Sequence, residues 1–176
     1  MKKYLIFGGV LVLAISGIVI SQNFSKISES LTGYEEFPAL STPGNGTFTA
    51  RLNGNSSVTY RLTYGETETN VTQSHIHFEN RSNNGPIVVF LCTNLGNGPA
   101  GTQACPETGG TISGTIEPDD VLTAGTSGIA AGEFDEFLAA MRAGATYVNV
   151  HTLGRPGGEI RSQIDLDPGM GRHDGH

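Results

Sequence analysis

"GTFTARLNGNSSVTYRLTYGE", residues 46–66, decides the fold class. In its second half Val58, Tyr60, Leu62 and Tyr64 fall on one side of an extended chain, and Thr59, Arg61 and Thr63 on the other. The two halves meet at "NGNS" (53–56), where Asn-Gly marks a tight hairpin turn. Strand-like runs recur at "VTQSHIHF" (71–78), "IVVFL" (87–91), "GTISGTIE" (110–117), "TYVNVH" (146–151) and "GEIRSQI" (158–164), separated by turns rich in Gly, Pro and Asn. One segment breaks the rhythm. In "GEFDEFLAAMRAG" (132–144), Phe134, Phe137, Leu138 and Met141 stand at i, i+3, i+4 and i+7, an amphipathic helix ending at Gly144. Short strands with one helix in a crossover predict an all-β protein: an antiparallel Greek-key β-sandwich with a helix near 133–143.

Working outward, the 176 residues suit one domain behind a leader. Lys2 and Lys3 precede the apolar run "YLIFGGVLVLAISGIVI" (4–20), the layout of an export signal. Residues 1–21 therefore read either as a signal peptide or as a retained N-terminal membrane anchor. Residues 22–30 read as a linker, 31–166 as the folded domain and 167–176 as a flexible C-terminal tail. The expected location is extracytoplasmic: secreted, periplasmic or held at the cell surface. A formal charge of -7 excludes the basic surface that nucleic-acid binding requires.

Cysteine usage agrees with export. Cys92 and Cys105 are the chain's two cysteines and flank the Gly/Pro/Asn-rich "TNLGNGPAGTQA". An even count in an oxidising compartment predicts one disulfide closing that loop, and the spacing fits no thiolate metal site. Glycosylation sequons begin at Asn23, Asn45, Asn55, Asn70 and Asn80, a pattern of exposed loops that an Asn-, Ser- and Thr-rich chain also generates by composition.

The histidines carry the functional question. On 71–78, His75 and His77 share a face with Gln73, while Ile76 and Phe78 take the other. On 146–151, Tyr147, Asn149 and His151 oppose Val148 and Val150; on 158–164, Glu159, Arg161 and Gln163 oppose Ile160 and Ile164. With the apolar sides inward, the outer face of these strands gathers His75, His77, Asn149, His151, Glu159 and Arg161. Two imidazoles at H-x-H spacing lie roughly 7 Å apart at Cα, workable for two ligands of one ion. Neutral imidazole suits copper and zinc, so binding is expected to weaken as pH falls through about 6.5. His173 and His176 in the tail could capture copper independently. A solvated polar face is the plainer reading of the same pattern.

"LTGYEEFPAL" (31–40), "VTQSHIHFEN" with "NGPIVVFL" (71–91), the helix before "AG" and "YVNVHTLGRPGGEIRSQI" (147–164) together resemble the chordin-type (CHRD) domain family, over residues 31–166. Ser74, Phe78 and Ser162 depart from the family's usual Ala, Gly and Gly. The resemblance implies a β-sandwich and an extracytoplasmic module; it implies little about activity. A more distant similarity links "SHIHF" and "VNVH" to the copper-site strands of copper–zinc superoxide dismutase, which implies copper ligands at His75, His77 and His151 in a superoxide-dismutase-like sandwich. With no histidine between residues 78 and 150, the bridging histidine and the zinc loop of that enzyme have no counterpart.

The expectation is an exported module with a surface His₃ site for one copper or zinc ion, oriented by Glu36, Asn149, Glu159 and Arg161. Glu36 is the expected carboxylate partner of Arg161. The alternative is a non-catalytic cell-surface interaction module, binding an unidentified extracellular partner, whose His/Glu/Arg cluster is a hydrogen-bond network. A copper-dependent redox or superoxide-handling enzyme is a third reading.

Overall fold

The computed structural model describes residues 26–165. The expected leader or anchor, Asn23 and the tail with His173 and His176 lie outside the described residues. The hairpin at 46–66 is present as β2 (Asn45–Asn53) and β3 (Ser57–Gly65), with Gly54 at φ +63 in the turn. The remaining strands are β1 (Lys26–Thr32), β4 (Val71–Phe78), β5 (Ile87–Thr93), β6 (Gly110–Ile116), β7 (Thr146–Thr152) and β8 (Ile160–Ile164). The helix, α1 (Phe134–Arg142), lies in the crossover between β6 and β7.

All strand pairs are antiparallel, and the eight strands form one sheet in the order β5-β4-β7-β8-β1-β2-β3-β6. The sheet curls until its edge strands, β5 and β6, come close to each other. Side chains stitch that seam. Gln103 Nε2 donates to Leu91 O on β5 (3.1 Å) and to Ser113 O on β6 (3.3 Å), and Tyr60 Oη donates to Leu91 O (3.2 Å). The all-β antiparallel class is as expected, in the form of a nearly closed sheet; strand order does not by itself establish the expected Greek key.

The core follows the sequence periodicity. Val58, Tyr60, Leu62 and Tyr64 are buried while Thr59, Arg61 and Thr63 are exposed. Phe134, Phe137, Leu138 and Met141 of α1 join the same apolar cluster as Phe48, Ile76, Val148, Val150, Ile160 and Ile164. The acidic first turn (Asp135, Glu136) and Arg142 in the last turn suit the helix dipole. Gly144, at φ +66, follows the helix end.

Two expectations are corrected. β1 begins at Lys26, inside the stretch read as a linker. Its Ser, Lys and Glu residues resemble a linker in composition, but Ile27 and Leu31 enter the core and the strand pairs with β2 along its whole length. The face carrying the histidines is also not exposed. Every residue of β7 and β8 is buried, on both faces. Three connections cover the polar side: 33–44 after β1, 79–86 after β4, and 153–159 between β7 and β8. Cys92 and Cys105 are bonded, tying the long β5–β6 connection to β5. No helix among the described residues is long and apolar enough to cross a membrane.

Candidate metal centre

Strand register brings the polar residues together. Across neighbouring strands Phe90, His75, Asn149 and Arg161 form one row, and His77, Tyr147 and Gln163 a second. His151 faces Gln73, so it sits diagonally beside His75 within reach of its ring. The three imidazoles are 0 %, 7 % and 5 % exposed for His75, His77 and His151. One nitrogen from each lies within 4.8 Å of the others.

The covering loops set the tautomers. His77 Nδ1 is 2.9 Å from Gly85 O, and His151 Nδ1 is 2.9 Å from Pro156 O. A carbonyl only accepts, so both Nδ1 atoms carry the proton and both Nε2 atoms present lone pairs. Backbone carbonyls commonly hold the outer nitrogen of metal-bound histidines in this way. His75 Nδ1 is 3.2 Å from His151 Nε2. Donors on one zinc ion stand roughly 3.3 Å apart at tetrahedral angles, from Zn–N distances near 2.0–2.1 Å. His75 Nε2 and His77 Nε2 are buried with no hydrogen-bond partner. His77 Nε2, fixed as an acceptor by the Gly85 carbonyl, costs stability there unless something binds it.

Aromatic packing holds the rings in place. Tyr147 stacks on His77 with centroids 4.7 Å apart and planes 1° apart, and the guanidinium of Arg161 lies 3.3 Å from the centroid of the Tyr147 ring. Phe90 meets His75 edge-on at 4.4 Å. Burial pushes the His75 imidazole down to about 2, helped by the neighbouring His151 and His77. Burial likewise takes His77 to about 4, against the opposing pull of the Gly85 carbonyl. His151 is lowered by burial, with the Pro156 carbonyl opposing. All three are neutral near pH 7, the ligand form.

The four residues expected to orient the imidazoles divide in their roles. Asn149 is at the centre, with Oδ1 2.9 Å from His151 Nε2. Glu36 lies behind it. Its buried Oε1 has no hydrogen-bond partner, and burial raises its carboxyl to about 7 despite the Arg161 charge. The expected Glu36–Arg161 ion pair does not form within 4 Å among the described residues. Arg161 instead donates to Asn83 O, Asn84 Oδ1 and Asn80 O, fastening the 79–86 loop over the site. Glu159 belongs to a different set of contacts. Its carboxylate accepts from Thr42 Oγ1 (2.7 Å), Glu68 N (2.8 Å) and Thr152 Oγ1 (2.7 Å), joining three segments. Tyr147, Gly85 and Pro156 were not expected at the site. Periodicity placed Tyr147 on the right face, but the two carbonyls come from turns that in sequence are only Gly/Pro punctuation.

Fold and cluster define an all-β module with three buried, neutral histidines able to hold one metal ion. The chain belongs to the CHRD domain family, whose model matches residues 27–164. No curated protein and no solved structure matches the chain, so the similarity to copper–zinc superoxide dismutase rests on the two histidine motifs alone.

Proposed function

We propose that this protein is an exported CHRD module that binds one copper or zinc ion between His75, His77 and His151. The observation that supports it is the preset of the site. Two imidazoles are locked by loop carbonyls with Nε2 toward a third, in a space that leaves His77 Nε2 unpartnered. Neutral nitrogen donors suit copper and zinc over the oxygen-seeking magnesium and calcium. An extracytoplasmic location is consistent with the Cys92–Cys105 bond and with the leader-like residues 1–21.

The test is elemental analysis of protein purified without chelator or affinity-histidine tag. Copper and zinc titrations of a chain ending at Asp167 follow, which removes His173 and His176. Micromolar or tighter binding, lost in both His75→Ala and His151→Ala, is the expected result. Equal binding by wild type and both variants would overturn the reading. It would favour the second one, a non-catalytic interaction module whose polar cluster holds the fold. The contacts of Glu159 and Arg161, which tie loops to strands, speak for that alternative.

A further inference from the structure

The metal reading leaves one contact unexplained. His151 Nδ1 donates to Pro156 O, so the Nε2 of a neutral ring is an acceptor. Yet Nε2 lies 2.9 Å from Asn149 Oδ1, which also only accepts. Two lone pairs at that distance repel unless a cation or a proton lies between them. A proton would make an imidazolium, buried beside two other imidazoles whose centroids are 4.9 and 6.0 Å away. Reversing the amide would remove the conflict by a different route, with Nδ2–H donating to Nε2, and the Asn149→Asp variant below separates the two. Asn149 Nδ2 and Glu36 Oε1 lie 2.9 and 2.6 Å from the point where a β-carbon on Gly158 would stand.

We infer that the side-chain oxygen of Asn149 is a fourth donor to the ion, completing an N₃O set. This rests on the three-histidine reading above. Asn149 faces His75 in register and precedes His151 by two residues, so its side chain shares their face. The 2.9 Å separation falls within the roughly 2.9–3.4 Å expected between donors at 90–109° around a zinc-sized ion. Glu36, which borders the same space beside Gly158, supplies a carboxyl near the bound charge.

The test uses the full chain with His173→Ala and His176→Ala, zinc as the ion and cobalt(II) as the spectroscopic probe. Asn149→Ala should weaken zinc binding by about 10- to 100-fold, the range reached when groups supporting metal ligands are removed. It should also shift the cobalt d–d bands as water replaces the amide oxygen. Asn149→Asp decides the sign. A carboxylate still donates to a metal, so zinc binding should hold or tighten, whereas a hydrogen-bond donor at this position would be lost. In the wild type, zinc should move the Asn149 carboxamide resonance in NMR, a readout independent of any variant's folding. Unchanged zinc affinity in Asn149→Ala, equal weakening in both variants, or an unmoved carboxamide resonance overturns the fourth donor while leaving the three histidines intact. Failure of the parent chain to bind zinc or cobalt at all overturns both readings.

Discussion

Gly158 has φ +126, a conformation that side chains disfavour, and any β-carbon there would collide with Glu36 and Asn149. Gly158→Ala should therefore lower the melting temperature and weaken zinc binding together, because the collision displaces the groups behind His151. Thermal melts and zinc titration on the same sample check this; a variant that loses stability yet binds zinc normally would separate Gly158 from the site. Glu159 should behave in the opposite way. Glu159→Gln places amide hydrogens against at least one of three donors in a fully buried position, costing about 1–3 kcal/mol. Urea unfolding should show that loss, while the folded variant keeps wild-type zinc affinity. A large fall in affinity would return Glu159 to the role expected from sequence.

At the scale of elements, α1 and the disulfide loop make different contributions. Phe137 has no exposed surface and joins the helix to the core, so Phe137→Ala should cost about 3–5 kcal/mol in urea unfolding. A cost below about 1 kcal/mol would mean the helix lies on the sheet without being needed by it. The Cys92–Cys105 bond closes a loop spanning 13 positions, worth about 3 kcal/mol in the chain-entropy account. Replacing both cysteines should lower the melting temperature and raise amide exchange between residues 93 and 104. The strands should persist, because Tyr60 of β3 still holds Leu91 of β5 and β3 pairs with β6. General loss of protection across β4 and β7 would contradict that division.

For the whole molecule, acid is the informative perturbation. His75 and His77 fold with pKa values near 2 and 4, against an ordinary 6.5, and His151 is also lowered. Below pH 6.5 the unfolded chain thus binds more protons than the folded one. The stability these groups contribute is complete above 6.5 and falls as pH drops toward 4 and below. Glu36 has the opposite sign: its contribution is complete below 4.5 and is lost as pH rises through about 7. Three imidazoles outweigh one carboxyl, so the metal-free melting temperature should level off just above about pH 7 and fall steeply toward pH 4. Calorimetry with chelator checks this, and Glu36→Gln should steepen the fall between about pH 7 and pH 4.5 by removing the opposing carboxyl. Burial also revises the expected pH dependence of metal binding. Protons compete with the ion for His77 only toward pH 4, so affinity should persist below 6.5.

Local chain chemistry determined the elements. Alternation placed His75 and His77 on one face and Ile76 on the other, the i, i+3, i+4, i+7 spacing located α1, and "NGNS" made the β2–β3 turn. Each is a property of neighbouring residues, so it is written in the order of the chain. Burial of the histidines is not. It depends on three loops, distant in sequence, folding back over a polar face that alternation alone marks as outward. The same holds for the lone pairs of His77 and His151, which point inward because carbonyls of Gly85 and Pro156 arrive from separate turns. Side-chain identity fixes what a residue can donate or accept; only the tertiary fold decides which partner reaches it and whether water does.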